Sequence, residues 1–128
     1  IEALSRGAQN AVFVDSNKKC RDIILFNLEK TKFSKQGEVL AMDIENAIKY
    51  LSGRDEKFDI IFMDPPYNMN FVNKTIQSIN DFDIMSDEGI LACEHHEDET
   101  PPDKVGKLVR ARIKHYRETV FSFYVKET

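Results

Sequence analysis

The chain has 128 residues, 41% hydrophobic and 31% charged, with a net charge of −4. That length and balance fit a single domain (1–128) with one core, and they exclude disordered, fibrous and disulfide-stapled classes. The acidic balance leaves no global nucleic-acid footprint, so any contact with phosphate must come from a local patch.

The pattern alternates strands and helices. Ile1 to Arg6 reads as the tail of a helix, stopped by Gly7, and Ala11 to Val14 as a short apolar strand. Ser16 is placed to cap a helix in which Cys20, Ile23, Ile24, Asn27 and Leu28 recur at three- and four-residue spacing. Glu38 to Ala41 is a second short strand. A helix bearing Ile44, Ala47, Ile48 and Leu51 follows and closes at Gly53. Phe58 to Met63 reads as a buried strand, because a run rich in Ile and Phe stops at two prolines. A helix near Phe71 to Asn80 uses Val72, Thr75, Ile76 and Ile79, and Ile90 to Glu94 forms the next strand. Leu108 to Tyr116 and Thr119 to Val125 alternate apolar and polar residues around Tyr116-Arg117-Glu118-Thr119, as an antiparallel hairpin does. The alternation predicts an α/β fold with a mostly parallel sheet, right-handed crossovers and a C-terminal antiparallel hairpin.

The tetrapeptide Asp64-Pro65-Pro66-Tyr67 carries the chemistry. It follows a strand, so it lies at the carboxyl edge of the sheet, where open α/β folds place ligands. Each proline restricts the residue before it to extended backbone, which holds the Asp64 side chain and a neighbouring carbonyl with little freedom. Two fixed acceptors suit an –NH₂ group. An arylamine is a poor nucleophile, and accepting its two N–H bonds draws the nitrogen toward tetrahedral geometry and aims its lone pair. Tyr67 offers a flat face to a base removed from its stack, a contact worth about 1–3 kcal/mol. The bland alternative is a Pro-Pro turn that ends a strand, with Tyr67 as an anchor.

Asp64-Pro65-Pro66-Tyr67 resembles the (Asp/Asn/Ser)-Pro-Pro-(Tyr/Phe) signature of S-adenosylmethionine-dependent amino-methyltransferases acting on nucleic acid. Ile1-Glu2-Ala3-Leu4-Ser5-Arg6-Gly7-Ala8, Val12-Phe13-Val14-Asp15, Tyr116-Arg117-Glu118-Thr119 and Phe121-Ser122-Phe123-Tyr124 are similar to the RsmD family, which methylates the guanine N2 amine of small-subunit ribosomal RNA. The resemblance implies a Rossmann-like class I methyltransferase fold, S-adenosyl-L-methionine as cofactor, and ribosomal RNA or a small-subunit particle as partner. In that family a strand and a glycine-rich loop precede the helix that Ile1 to Arg6 resembles. The chain is therefore expected to be an N-terminally truncated methyltransferase domain, consistent with a helix that opens without an N-cap residue. Two rival readings are DNA adenine N6 methylation, which shares the tetrapeptide, and a non-catalytic methyltransferase-like module that binds RNA or protein.

Two further carboxylates fall at strand ends. Asp15 closes Val12-Phe13-Val14, where an acid can accept both ribose hydroxyls, or it begins the cap of the next helix. Asp43 matches the family position that accepts from the adenine amine, with Met42 and Ile44 as walls beside the ring; it equally suits an N-cap. Ser16 accompanies Asp15 in the cofactor-binding set.

The remaining clusters receive plainer readings. Lys104, Lys107, Arg110, Arg112, Lys114 and Arg117 could follow an RNA backbone, but a solvated strand face also carries such residues. His95 and His96 are adjacent, so on a strand end they point in opposite directions and suit a solvated acidic loop better than a metal site. Phe121-Ser122-Phe123-Tyr124 reads as core packing. Cys20 and Cys93 read as lone buried thiols in a reducing, cytoplasmic compartment, and no apolar stretch approaches membrane-spanning length.

Overall fold

The computed structural model describes residues 1–64 and 69–127. The chain divides into two compact units, 1–47 and 48–128.

The first unit holds α1 (Glu2–Ser5), β1 (Ala11–Val14), α2 (Lys18–Lys30), β2 (Gly37–Leu40) and the start of α3 (Ile44–Gly53). β1 and β2 pair in parallel, with Ala11 beside Gly37 and Val14 beside Leu40. Asn17, not Ser16, caps α2: its side chain accepts from the Lys19 N–H at 2.8 Å. Ser16 is displaced because Asp15 Oδ1 accepts from the Asn17 N–H at 2.8 Å, a local Asx turn that delays the helix by one residue. The expected stripe on α2 is narrower than its spacing suggests, since Leu28 is buried while Ile23 is 59% exposed. Two four-residue strands offer too little surface to cover a full helical face.

The second unit holds the rest of α3, then β3 (Phe58–Met63), α4 (Met69–Asp81), β4 (Met85–His96), β5 (Lys104–Val105), β6 (Leu108–Tyr116) and β7 (Thr119–Lys126). These strands form one sheet in the order β3-β4-β7-β6-β5. β3 and β4 are parallel, whereas β4–β7, β6–β7 and β5–β6 are antiparallel. The parallel start, the crossover helix and the terminal hairpin follow the predicted alternation.

One face of this sheet is buried. Leu91, Cys93 and His95 on β4 and Val120, Ser122 and Tyr124 on β7 all lie there. Val72, Thr75, Ile76 and Ile79 line one side of α4 at helical spacing and complete the core with Ile48 and Leu51. The opposite face carries Ile60 and Phe62 of β3, which are 71% and 60% exposed. β3 is therefore not the buried strand its composition suggests: this face, which also carries Ile90 of β4 at 42% exposure, is open, and β3 is a terminal strand of its sheet with β4 as its one partner among the described residues. β4 begins earlier than expected, at Met85. A bulge between the Phe58 and Ile60 pairings absorbs Ser86 to Gly89, whose composition reads as a turn.

Candidate methyl-transfer site

Asp64 follows the last residue of β3 and is exposed. Pro65, Pro66 and Tyr67, the other three expected catalytic residues, lie outside the described residues. Met63 pairs with Cys93 in the parallel ladder, so Asp64 and Glu94 fall abreast at the carboxyl end of β3 and beside it on β4. Burial first, then the charge of Asp64 and hydrogen bonding with it, push the Glu94 carboxyl above the usual range. In the sequence Glu94 stands out only as the last residue of the expected Ile90 to Glu94 strand. The signal that singles it out is its register beside Asp64, which a linear pattern does not display.

Asp15, Ser16, Met42, Asp43 and Ile44 belong to the first unit. Asp15 follows β1, its N–H donating to the Leu40 carbonyl at 3.2 Å, so it sits at the carboxyl end of the β1–β2 pair. Burial first, then the nearby Asp15 carboxylate, push the Cys20 thiol up. Cys20 is half-buried rather than buried, and Cys93 is buried; both are free. Asp43 caps α3, with Oδ1 accepting from the Asn46 N–H at 2.9 Å and Oδ2 from the Asn46 side-chain amide at 2.7 Å. Met42 and Ile44 flank it and are half-buried. Ser16 is exposed.

The secondary clusters sort differently. Of the basic run, Lys104 pairs with Glu127 at 2.7 Å and Arg110 with Asp103, and the Lys114 ammonium lies 5.1 Å from the Tyr116 ring centroid. Lys104 and Arg110 are thereby partly neutralised by carboxylates. His95 and His96 do alternate, but His95 is inside β4 and buried, not in a solvated loop, because its ring finds a polar partner in Ser122 at 2.8 Å. The Phe121–Tyr124 stripe is divided by the pleat: Ser122 and Tyr124 enter the core, while Phe121 packs against Phe62 and Phe123 at centroid distances of 6.4 and 6.5 Å on the other face. No group of three or more candidate metal ligands occurs among the described residues, and no described helix is long and apolar enough to cross a membrane.

A parallel strand pair followed by acids at its carboxyl ends, a β3–α4–β4 crossover and a closing antiparallel hairpin define the Rossmann-like methyltransferase fold. The chain belongs to the family described as "Conserved hypothetical protein 95", whose sequence model matches residues 1–125. It is 32% identical to a Bacillus subtilis protein named "Putative rRNA methyltransferase YlbH", covering 98% of this chain and 68% of that one. It is 24% identical to the Escherichia coli "Ribosomal RNA small subunit methyltransferase D", covering 99% of this chain and 62% of that one. A solved "conserved hypothetical protein" of Streptococcus pyogenes superposes with a TM-score of 0.88 at 32% identity, over 98% of this chain and 77% of that one. A methyltransferase solved in complex with SAH superposes with a TM-score of 0.74 at 18% identity, over 96% of this chain and 41% of that one, a likeness of fold.

Proposed function

We propose that this chain carries the catalytic part of an S-adenosylmethionine-dependent methyltransferase acting on an exocyclic amine of ribosomal RNA, with guanine N2 of the small-subunit RNA as the target. The observation that carries the reading is the exposed Asp64 carboxylate at the carboxyl end of β3. The family's rRNA-methyltransferase relatives support the substrate class.

The donor set of the first unit fits the cofactor. Asp15 and Asp43 are acceptor-only carboxylates following neighbouring parallel strands, and acceptors are what two ribose hydroxyls and an adenine amine require. Asp15 would take the ribose hydroxyls and Asp43 the adenine amine, with Met42 and Ile44 beside the ring and Ser16 adjoining. S-adenosylmethionine, when bound, supplies a methyl group on a sulfonium, itself a good leaving group. Asp64 and the Pro65 carbonyl hold the two N–H bonds of the target amine and aim its lone pair; Tyr67 supports the base. No metal is needed for this chemistry.

The test is methyl incorporation by the full-length protein into small-subunit particles carrying unmethylated RNA, with duplex DNA in parallel and nucleoside analysis of the product. N2-methylguanosine is the expected product. N6-methyladenine in DNA would transfer the reading to the DNA class, and calorimetric titration showing no S-adenosylmethionine binding would leave a non-catalytic module. Asp64→Ala should abolish transfer while leaving cofactor affinity nearly intact; full activity in that variant removes Asp64 from the mechanism.

A further inference from the structure

Parallel neighbours in register leave the same face of a sheet, so the Met63–Cys93 pairing puts the next two side chains, Asp64 and Glu94, together. Two carboxyl groups held side by side repel when both are ionised, so this pair favours a form with one proton between them. The surroundings favour sharing it. On β7, Phe121 lies opposite Glu94, and its ring packs toward Phe62 of β3, so one flank of the pair is apolar. Lys114 of β6 pairs with Phe121 one strand further on, with its ammonium over the Tyr116 ring, and His96 lies two residues along β4 on the same face. Cys93 and His95 leave the opposite face, both buried.

We propose that Glu94 acts through Asp64 as the second half of a carboxyl pair that takes the proton released when the amine is methylated. The proposal rests on the methyl-transfer reading of Asp64. A neutral amine that gains a methyl group becomes a cationic ammonium as the carbon–sulfur bond of the donor breaks and the thioether leaves neutral. One N–H bond then breaks, its electron pair returns to nitrogen, and an O–H bond forms on the pair. The doubly ionised pair is the form that accepts; the singly protonated pair is the form that results. Solvent beside the exposed Asp64 then takes the proton away. Glu94 is thus a positioning residue whose second function is to share a proton that a single carboxylate would hold alone.

Two measurements on the full-length protein test this. Without cofactor or RNA, a carboxyl carbon-13 NMR titration should show Glu94 titrating above ordinary glutamates, and its midpoint should fall toward theirs in Asp64→Asn. With S-adenosylmethionine and unmethylated small-subunit particles, single-turnover transfer by Glu94→Gln should drop at least roughly tenfold, and the acid limb of its pH profile should move to lower pH. Glu94→Asp should recover part of the rate. A Glu94 midpoint that ignores Asp64→Asn, or a Glu94→Gln profile that overlays the wild type, overturns the proposal. The parent reading fails separately: if Asp64→Ala transfers methyl groups normally, Asp64 is not the amine acceptor, whereas loss in Asp64→Ala with none in Glu94→Gln removes Glu94 alone.

Discussion

The imidazole of His95 and the hydroxyl of Ser122 meet across the β4–β7 ladder, with Nε2 and Oγ 2.8 Å apart and both residues buried. The other ring nitrogen, Nδ1, lies 2.9 Å from the His96 carbonyl oxygen, which can only accept. In the neutral ring Nδ1 therefore carries the hydrogen and Nε2 accepts from Ser122. Ser122→Ala removes that donor and strands a buried acceptor, which costs about 1–3 kcal/mol. Urea denaturation of Ser122→Ala should show that loss, with Ser122→Thr, which keeps the hydroxyl, losing less.

A second prediction concerns the β5–β6 turn. Gly106 has φ of 57°, and a Cβ there would fall 2.2 Å from the Asn80 side-chain nitrogen. Asn80 cannot simply withdraw, because its Oδ1 accepts from the Lys107 N–H at 2.9 Å and ties the end of α4 to the turn. Gly106→Ala should destabilise by about 1–3 kcal/mol through strain and the lost hydrogen bond. The double variant Gly106→Ala with Asn80→Ala should lose less than the sum of the two single changes, since one bond is broken in both. Strict additivity in thermal unfolding would show that the clash is relieved without cost to the Asn80 contact.

Periodicity and punctuation made most of the fold legible. The two prolines after Met63 and the pair of alternating runs around Arg117 located the end of β3 and the terminal hairpin almost to the residue. What escaped depended on pairing rather than pattern. The start of β4 was hidden because Ser86 to Gly89 carry turn residues and survive in the strand only as a bulge against Phe58. Ile60 and Phe62 look like core residues, yet they share a sheet face with the exposed Ile90 of β4, and which face is covered is not contained in any local window. Among the candidate acids, Asp15, Asp43 and Asp64 were visible because each follows an apolar run. The place of Glu94 beside Asp64 was not, because it comes from pairing with a strand 30 residues away in sequence, as the numbering of Asp64 and Glu94 shows.

Acid should act on Asp83, where two ammonium groups converge. Lys57 Nζ lies 2.6 Å from one carboxylate oxygen and Lys126 Nζ 2.7 Å from the other. Hydrogen bonds from Lys126 and then Lys57 hold the carboxyl at about 2, below its ordinary 3.8. A depressed folded-state value means that the stabilisation is complete above about 3.8 and is lost as pH falls toward 2. The side chain is 56% exposed, so solvent screening reduces the contribution to about 1 kcal/mol or less. Asp83→Asn tolerates the positive φ of 50° and removes only the charge. Its stability deficit in urea should be present at pH 7 and vanish near pH 2.

Asp43 allows its two expected roles to be separated. As the cap of α3 it accepts from the Asn46 backbone at 2.9 Å, and losing a cap of this kind costs about 1 kcal/mol. As an acceptor for the adenine amine it would contribute to cofactor affinity instead. Serine caps as well as aspartate, but its short hydroxyl reaches less far and carries no charge. Asp43→Ala should therefore lose both stability and affinity for S-adenosylhomocysteine. Asp43→Ser should recover the stability in urea while its affinity, by calorimetry on the full-length protein, stays about tenfold weak, the equivalent of about 1.4 kcal/mol. If affinity returns with the cap, Asp43 serves the cofactor only by holding the first turn of α3 in place, and the adenine amine must find its acceptor elsewhere.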